Sequence, residues 1–460
     1  MSITAETAKQ HANDPAVLCC RAEAGTELTP ANFEDPAIFP DLVDSGLLNL
    51  DGALTLGQVL NGSKLTKTVD SLTPITADIV DKFDAGEAEA AAPAEEAAPA
   101  DDAAAEETTG DATSPVAGKK IAYIMLMSQA TIFNMWSENF QSTAEKLGMT
   151  ADTFFCSDNA EEWQTRIQTC AAAGYDGLMV SHGGQEYAWS FLSDILEQYP
   201  DLKIVTFDTP FKDDSGNTAK IDGVMQFFQQ DAGFASMLVE EIINLPENQG
   251  KEKPIRILQV QQGAGYNSPF DRRQVGYQPY EDDGTITTVE RIAPTDDQNA
   301  TQSMRDVTTA TLAKYSDDDI DGIWCCYDAY AQGVFQALQD GNRQIPMVSV
   351  DISNEDIQAM QEPDSQWKAC ATTNWNSNGE FACRVLALEM ADQYDDIRAC
   401  SCYYDDPGDW LEIPSSVITQ EMVTSTDGIT IENLDTVAPE SYKDTSWMPT
   451  CDWMVALLGH

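Results

Sequence analysis

Six short segments of this 460-residue chain each follow an apolar run directly, and together they carry carboxylate, amide and aromatic side chains. They read SQATIF (128–133), SHGG (181–184), DTPF (208–211), YDAY (327–330), DIS (351–353) and TTNWN (372–376). Carboxylates accept hydrogen bonds, amides both donate and accept, and aromatic rings cover apolar surface. If the apolar runs are parallel strands, these segments lie beyond the carboxyl ends of the strands, where open α/β sheets bind ligands. We therefore predict binding residues in these segments.

Catalytic and metal-binding motifs find little support in the sequence. The eleven cysteines include Cys19-Cys20, Cys325-Cys326 and Cys400-Ser401-Cys402. No CxxC is paired with a second CxxC or with HxxxH, so we expect no metal site and no cofactor. No GxSxG precedes a suitably placed His, and the cysteines lack basic neighbours that would lower their pKa. We expect a protein that is not an enzyme, with Asp208 and Asp351 as paired glycosidase acids as the alternative.

Charge and hydropathy exclude several classes of partner. Acidic residues outnumber basic residues by 77 to 25, which gives a formal net charge of −52. Such a charge repels phosphate backbones and anionic lipid headgroups, so we expect neither nucleic acid nor direct membrane insertion. No window approaches the roughly 18 apolar residues of a membrane span, and MSITAETAKQHANDPAV lacks the basic and apolar regions of a signal peptide. As written, the sequence predicts a cytoplasmic location, which the irregular cysteine spacing also fits.

A change in composition divides the chain. Residues 85–118 hold fourteen Ala, nine Asp or Glu and no Lys or Arg, which predicts an extended, disordered acidic linker. Residues 1–84 are long enough for one small domain. After Lys119, apolar runs alternate with segments of helical spacing, which predicts βαβ units and parallel sheets. Roughly ten strands exceed one doubly wound lobe, so we predict two lobes.

From Lys119 to about Ser425, the motifs resemble the type 1 periplasmic solute-binding proteins of the ribose- and galactose-binding branch. In chain order they are KIAYIMLMSQATIFNMWSENFQSTAEKLGM, IVTFDTPF, FDRRQVGY, WCCYDAYAQGVFQAL, PMVSVDIS and LEIPSSVITQEMV. The resemblance implies an α/β fold with two doubly wound parallel-sheet lobes, the type 1 periplasmic-binding-protein fold. The expected segments are 119–226 plus about 374–400 for lobe 1, 227–373 plus about 401–425 for lobe 2, and 426–460 for a C-terminal extension.

The same resemblance implies roles for residues at the strand ends. Asp208 and Asp351 would accept hydrogen bonds from ligand hydroxyls, and Arg273 would donate a forked pair from the second lobe. The other expected contacts are Gln129, Phe133, Trp136, His182, Phe211, Tyr327, Asp328, Asn374 and Trp375. Structural interpretations stand beside these roles: helix capping for the two aspartates, a surface ion pair for Arg273, core packing for the rings and a structural hydrogen bond for His182.

Two positions depart from the family pattern. Tyr327 stands where the family usually has Asn, and Thr373 or Asn374 stands where it often has Gln. The expected ligand is therefore a sugar or sugar-like compound, with another small polar molecule as an open alternative.

The first roughly 80 residues resemble the beginning of the D-proline reductase proproteins, a cytoplasmic family. The matching segments are MSITAETAKQHANDPAVLCCRAEAGT, EDPAIFPDLVDSGLLNL and KLTKTVDSLTPIT. This resemblance implies a docking or assembly role for residues 1–84. We consider two functions: a solute-binding protein that serves an ABC permease in the cell envelope, or a cytoplasmic sensing or assembly subunit that contacts a reductase-type protein partner through residues 1–84.

Overall fold

The computed structural model describes residues 15–18, 28–29, 33, 53–60, 63–67, 74–76, 79–82, 114–213, 215–262, 268–296, 299–405 and 409–460. The chain divides into two compact units, Met1–Thr108 and Thr109–His460. Cys19, Cys20 and the predicted linker up to residue 113 lie outside the described residues. All of the residues expected to bind ligand belong to the second unit.

In the described part of the first unit, isolated β-bridges join residues around an apolar core. Antiparallel bridges join Pro15 to Thr55, Val17 to Pro74, Leu18 to Phe33, Ala53 to Thr76 and Leu65 to Val80. A short helix, Leu56–Val59, begins after Thr55, whose backbone N–H donates to Gln58 Oε1 at 2.8 Å. Fully buried core residues include Ala16, Leu18, Phe33, Leu56, Val59 and Ile75. The apolar clusters of this segment therefore pack against one another.

The strands of the second unit follow the apolar runs of the sequence. They are β1 Lys120–Met125, β2 Thr150–Phe155, β3 Gly177–Ser181, β4 Lys203–Phe207, β5 Val224–Gln229, β6 Ile255–Val260, β7 Ile286–Ile292, β8 Gly322–Cys325, β9 Met347–Val350, β10 Trp367–Thr372, β11 Tyr403–Tyr404, β12 Trp410–Ile413 and β13 Ser416–Thr419. The central strands β3, β5, β8 and β9 are buried along their whole length. Helices on both faces of a parallel sheet explain why these strands are buried continuously rather than on alternate residues.

The strands form two sheets, one for each lobe. The first has the order β11-β12-β5-β4-β3-β1-β2 and the second has the order β13-β10-β9-β8-β6-β7. Neighbouring strands are parallel except for β11 with β12 and β10 with β13. The two doubly wound lobes predicted from the sequence are thereby confirmed. Register pairs Phe207 with Phe227 and Val350 with Ala371, so Asp208 and Asp351 each follow the last paired residue of a central strand.

Helices cover the two sheets. They are α1 Thr131–Lys146, α2 Ala160–Ala172, α3 Ala188–Gln198, α4 Asp231–Asn244, α5 Ser268–Asp282, α6 Ala300–Leu312, α7 Asp328–Asp340, α8 Asn354–Gln361, α9 Trp375–Met390, α10 Tyr394–Arg398, α11 Gln420–Thr424, α12 Glu440–Lys443 and α13 Asp452–Leu458, with 3₁₀ helices at Asp317–Asp319 and Ile431–Thr436. In the first lobe, α1 packs against α9 on one face, while α2 and α3 cover the other face. In the second lobe, α4 packs against β8, β9, β10 and α5.

The chain passes between the lobes at Gln230, at Thr373–Asn374 and at Pro414–Ser415. Because β12 pairs with β5, residues 410–413 belong to the first sheet and not to lobe 2, where the sequence analysis placed 401–425. The first crossing also comes after Gln229 rather than after residue 226. The run LEIPSSVITQ looks like one strand, but Pro414 has no N–H to donate, and the chain changes sheets there.

The segment after Ser425 packs on both lobes. Asn354 Oδ1, in the second lobe, accepts from the Ile431 backbone N–H at 2.8 Å. In the first lobe, the Trp447 ring lies 5.1 Å from the Phe381 ring, and Trp453 Nε1 donates to Gln393 Oε1 at 2.7 Å. Among the described residues, no helix has the length and apolar content needed to cross a membrane.

Candidate functional site

Three strand ends in the two lobes share an unusual backbone turn. His182 follows β3, Asp208 follows β4 and Asp351 follows β9, with φ angles of 60°, 41° and 69°. Non-glycine residues seldom adopt this left-handed conformation, although Asp and His do so more often than most. Sheet pairing fixes the turns, because the Asp208 and Asp351 N–H groups donate to Phe227 and Ala371 carbonyls at 3.1 and 2.8 Å. The side chains of these residues therefore have defined positions at the carboxyl ends of the strands.

Arg273, on α5, is buried and holds together the carboxyl edge of the second lobe. Its side chain is 3% exposed. It donates to Asp231 Oδ1 at 2.9 Å, to Asp351 Oδ2 at 3.3 Å and to the Cys326 carbonyl oxygen. Burial alone would lower the pKa of Arg273, but the carboxylates of Asp351 and Asp231 raise it above its ordinary value. This guanidinium therefore positions Asp351, a role beyond the ligand contact expected from the sequence.

Arg272, the preceding residue, reaches the other lobe. It donates to Asp208 Oδ1 at 2.8 Å and to Asp231 Oδ2 at 2.9 Å, and its guanidinium lies 4.5 Å from the centre of the Phe228 ring. The Asp208 carboxylate thus accepts from an arginine of the second lobe. The sequence analysis identified neither Arg272 nor Asp231. The available signal was the pair of consecutive arginines in FDRRQVGY, because adjacent residues of a helix point about 100° apart and so reach different partners.

Asp351 lies in a group of buried carboxyl groups at the carboxyl edge of the second sheet. Its buried Oδ1 has no hydrogen-bond partner among the described residues. Burial, only partly offset by Arg273, raises the pKa of Asp351 to about 6. Burial, followed by the charges of Asp356 and Asp351, raises the pKa of Asp328 well above its ordinary value. Asp328 and Asp351 at this edge therefore bind protons more tightly than ordinary carboxylates do. Asp351 Oδ1 is an acceptor that can still receive a hydrogen bond.

Tyr327 and Asp328 begin α7 beside this group. The negative charge of Asp328, followed by burial, raises the pKa of Tyr327 above its ordinary value. The Tyr327 ring lies 6.1 Å from the Phe270 ring. Asp356, which is fully buried, accepts from the Ser353 N–H at 2.7 Å and from Gln332 Nε2 at 2.9 Å. The structure therefore brings Tyr327, Asp328 and Asp351 close enough to influence one another's charge.

His182 faces Asp208 at the carboxyl edge of the first sheet. Its Nε2 lies 4.0 Å from Asp208 Oδ2, and its Nδ1 lies 2.9 Å from Ser181 Oγ. Burial lowers the pKa of His182, so the neutral imidazole is favoured. The Phe133 ring lies 5.9 Å from the imidazole, whereas Gln129 is exposed and donates to Asn134 Oδ1 at 2.9 Å.

Three of the expected aromatic contacts lie in the core instead. Trp136, Phe211 and Trp375 are 0%, 1% and 3% exposed. The Trp136 ring packs 4.5 Å from the Phe207 ring and 6.0 Å from the Trp375 ring, between α1, β4 and α9. Phe211 belongs to the cluster on the opposite face of the same sheet. The structural interpretation, core packing, therefore holds for these three, because their positions turn them toward the sheet faces rather than the strand ends.

Asn374 is engaged by the protein itself. Its Oδ1 accepts from the Asn376 N–H at 3.0 Å, which caps the start of α9, and its Nδ2 donates to the Tyr442 carbonyl at 2.9 Å. This residue fixes the crossing between β10 and α9 and the C-terminal segment. Its expected ligand contact would compete with both bonds.

A cavity of about 190 Å³ opens beside α5 in the second lobe. Its lining is formed by Gln261, Gln262, Phe270, Asp271, Gln274, Trp324 and Cys326. Gln274 Oε1 accepts from Gln261 Nε2 at 2.6 Å and from Gln259 Nε2 at 2.9 Å. None of these residues was predicted from the sequence to bind a ligand. Among the described residues, no group of three or more His, Cys, Asp or Glu side chains is placed to hold a metal ion.

Two doubly wound lobes, with charged side chains at the facing strand ends, define a two-lobed protein of the type 1 periplasmic-binding-protein fold. The family described as periplasmic binding protein domain matches residues 121–393. The chain belongs to this family, and the resemblance inferred from the motifs is confirmed.

Solved structures show the same fold. A sugar ABC transporter structure from Yersinia enterocolitica is 25% identical with a TM-score of 0.58, covering 77% of this chain and 99% of that one. A 5-methylthioribose transporter solute-binding protein from Thermotoga lettingae is 17% identical with a TM-score of 0.58, covering 74% and 98%. A periplasmic ribose ABC transporter from Conexibacter woesei is 14% identical with a TM-score of 0.56, covering 71% and 99%.

The N-terminal resemblance is confirmed as well. The D-proline reductase proprotein PrdA of Acetoanaerobium sticklandii is 57% identical over 99 residues. The match covers 20% of this chain and 16% of that protein. It therefore relates one segment of this chain to a small part of the reductase proprotein.

Proposed function

We propose that the second unit binds a small polar ligand, most readily a sugar or sugar-like compound, by closing its two lobes, and that it serves an ABC-type transport system. The observation that carries the proposal is the buried Asp351 carboxylate, whose Oδ1 has no donor among the described residues. A ligand hydroxyl would supply that donor. Sugar binding by solved proteins of this fold supports the choice of ligand class.

The ion pair between Arg272 and Asp208 supplies a means of closure. It joins the lobes at 2.8 Å, and it engages the carboxylate that the resemblance assigns to ligand hydroxyls. A ligand hydroxyl that donates to Asp208 would share the carboxylate with Arg272 or replace it. Phe133 and Tyr327, which are half-buried at the two strand edges, would cover the apolar faces of a sugar ring. Differential contacts of this kind are what shift a two-lobed protein toward its closed form.

A thermal-shift screen of sugars, polyols, nucleosides and amino acids tests the proposal, with titration calorimetry on each hit. We expect a sugar or polyol to raise the melting temperature by mass action. Asp351→Asn and Asp208→Asn should each weaken the affinity by about tenfold or more, since a hydrogen bond to a charged group contributes about 1.5–3 kcal/mol.

Asp392→Asn is the matched control for these variants. Asp392 also has a left-handed φ, 56°, but its side chain is 80% exposed and pairs with Lys203. Its substitution should leave the affinity unchanged. Failure of every compound to bind, or equal affinities for Asp351→Asn and Asp392→Asn, would contradict the proposed site.

A second candidate function rests on the match to the reductase proprotein. We propose as the alternative that residues 1–84 dock the chain to a reductase-type partner in the cytoplasm, where the two lobes report a bound metabolite. The 57% identity of the matching segment favours it. Cell fractionation separates the two functions: detection only in the cytoplasm would rule out delivery to a permease from outside the cell, and detection only in the envelope would rule out the alternative.

A further inference from the structure

Two cysteines of the first lobe lie in contact at the end of α10. Cys400 and Cys402, separated by one serine, have their Sγ atoms 2.9 Å apart. The backbone holds both in place: the Cys400 N–H donates to the Ile397 carbonyl at 3.3 Å, and the Cys402 carbonyl accepts from the Glu412 N–H at 2.9 Å. Helix α10 on one side and the pairing of β11 with β12 on the other therefore keep the two thiols together.

The two thiols differ in surroundings and in exposure. The hydrogen bond with Cys402 lowers the pKa of Cys400 below its ordinary value, although burial opposes this, while the same bond and burial raise the pKa of Cys402. Cys402 is 3% exposed, whereas Cys400 is only partly buried. Because an attacking thiolate must be accessible to its disulfide, the more exposed Cys400 is placed to attack and the buried Cys402 to resolve.

We propose that Cys400 and Cys402 form a reversible dithiol–disulfide site that reacts with small disulfides such as oxidised glutathione. The Cys400 thiolate attacks one sulfur of the disulfide, forming a mixed disulfide and releasing one thiolate. Cys402 then loses its proton to water and attacks Cys400 Sγ, which forms the intramolecular bond and releases the second thiolate. The protein loses two electrons, and the small disulfide is reduced to two thiols.

The adjacent pair Cys325 and Cys326 provides an internal comparison. Both are buried in the second lobe, at 0% and 2% exposure. Burial raises the pKa of Cys325 well above its ordinary value and that of Cys326 to about 12. Both pairs are close in sequence, but only the pair at residues 400–402 includes a cysteine that is partly exposed.

Redox titration of the full chain tests the proposal. The protein is equilibrated in glutathione buffers of increasing oxidised fraction, quenched in acid, alkylated and mapped by peptide mass spectrometry. We expect the peptide with Cys400 and Cys402 to lose two hydrogens without retaining glutathione, while the peptide with Cys325 and Cys326 stays reduced. Cys402→Ser should stop at one glutathione on residue 400. Cys400→Ser should react with oxidised glutathione at least about tenfold more slowly than the wild type.

Two results would overturn the proposal. One is a wild-type protein in which both thiols remain open to alkylation in excess oxidised glutathione. The other is a stable glutathione adduct on wild-type Cys400, which would show that Cys402 does not resolve it. Circular dichroism checks that the serine variants fold. If either variant fails to fold, the mass of the wild-type peptide decides the question alone.

Discussion

The aspartates at the two edges of the second sheet differ in their hydrogen bonds and in the direction of their pKa shifts. Asp321, at the amino end of β8, accepts from Lys251 Nζ at 2.6 Å and from the backbone and side chain of Arg256 at 2.8–3.0 Å. Asp351, at the carboxyl end of β9, accepts from Arg273 at 3.3 Å and has an unbonded Oδ1 among the described residues. Burial would raise both pKa values, but the bonds from Arg256 and Lys251 lower the pKa of Asp321 to about 2, whereas the pKa of Asp351 rises to about 6.

The first lobe repeats the contrast. Asp176, at the amino end of β3, accepts from Lys119 Nζ at 3.1 Å and from the Lys120 N–H at 2.8 Å. Asp208, at the carboxyl end of β4, accepts from Arg272 of the other lobe. A backbone N–H and one or more cations thus complete each amino-edge carboxylate, whereas the carboxyl-edge carboxylates of Asp208 and Asp351 accept from arginines of α5. Amino-edge carboxylates should therefore stabilise the fold, carboxyl-edge carboxylates should respond to ligand, and Asp351 should also respond to pH.

The largest expected effect is a loss of stability at the amino edge. Asp321→Ala should lower the free energy of unfolding by about 2–4 kcal/mol, since it removes the acceptor of the Arg256 side chain and backbone N–H and leaves Lys251 with Asn248 Oδ1. This lies below the cost at a fully buried pair, because Lys251 and Arg256 are 40% and 39% exposed. Denaturant unfolding measures the change. Asp351→Ala should cost clearly less, because Arg273 keeps Asp231 and the Cys326 carbonyl; equal losses would contradict the contrast between the edges.

The next effect is the pH dependence of stability at Asp351. Its folded pKa of about 6 exceeds the unfolded value of about 3.9, so the folded state keeps a proton that the unfolded state releases. This contribution is complete below about pH 4 and is lost as the pH rises through about 6, by about 1–3 kcal/mol. Asp321 has the opposite sign: its contribution is present above about pH 4 and lost as the pH falls through about 2.

Asp351→Asn isolates that contribution. Asp328 and Asp356 also have raised pKa values, so their contributions to stability change with pH in the same direction. The contribution of Asp351 is therefore the difference in free energy of unfolding between the wild type and the variant at each pH. Denaturant midpoints between pH 4 and 7 should fall less steeply for Asp351→Asn. Parallel curves would show that Asp351 titrates as an ordinary carboxyl group.

Much of this arrangement was accessible from the sequence. The alternating apolar runs predicted both sheets, and the rule of carboxyl strand ends located Asp208 and Asp351. Arg272 and Asp231 were missed because their partnership joins α5, α4 and the other lobe, which no local pattern encodes. Trp136 was misplaced because an aromatic residue in the first turns of a helix that follows a strand can face either the ligand or the sheet, and only packing decides between them.

A smaller and more local effect is expected at the contact between the lobes. Arg272→Leu removes the ion pairs to Asp208 and Asp231 but leaves Arg273 paired with Asp231, so global stability should change by less than about 2 kcal/mol. Opening should appear as about tenfold faster deuterium exchange in peptides that contain Asp208 and the start of α5. Peptides from β2, the edge strand three positions from β4 in the first sheet, are the internal control. Unchanged exchange at Asp208 would mean that Arg272 does not hold the lobes together.

The smallest expected effect is the pH dependence of stability at His182, at the carboxyl edge of the first sheet. Burial places the folded pKa of His182 below its unfolded value, so the unfolded state gains a proton first as the pH falls. Stability should therefore fall as the pH drops below about 6.5, the reverse of the slope at Asp351. Proton NMR of the three histidines can follow His182, with His182→Asn assigning its resonance, because Asn also tolerates the left-handed turn. A His182 pKa at or above 6.5 would mean that Asp208, 4.0 Å away, outweighs burial. The pH dependence of stability at His182 would then no longer oppose that at Asp351.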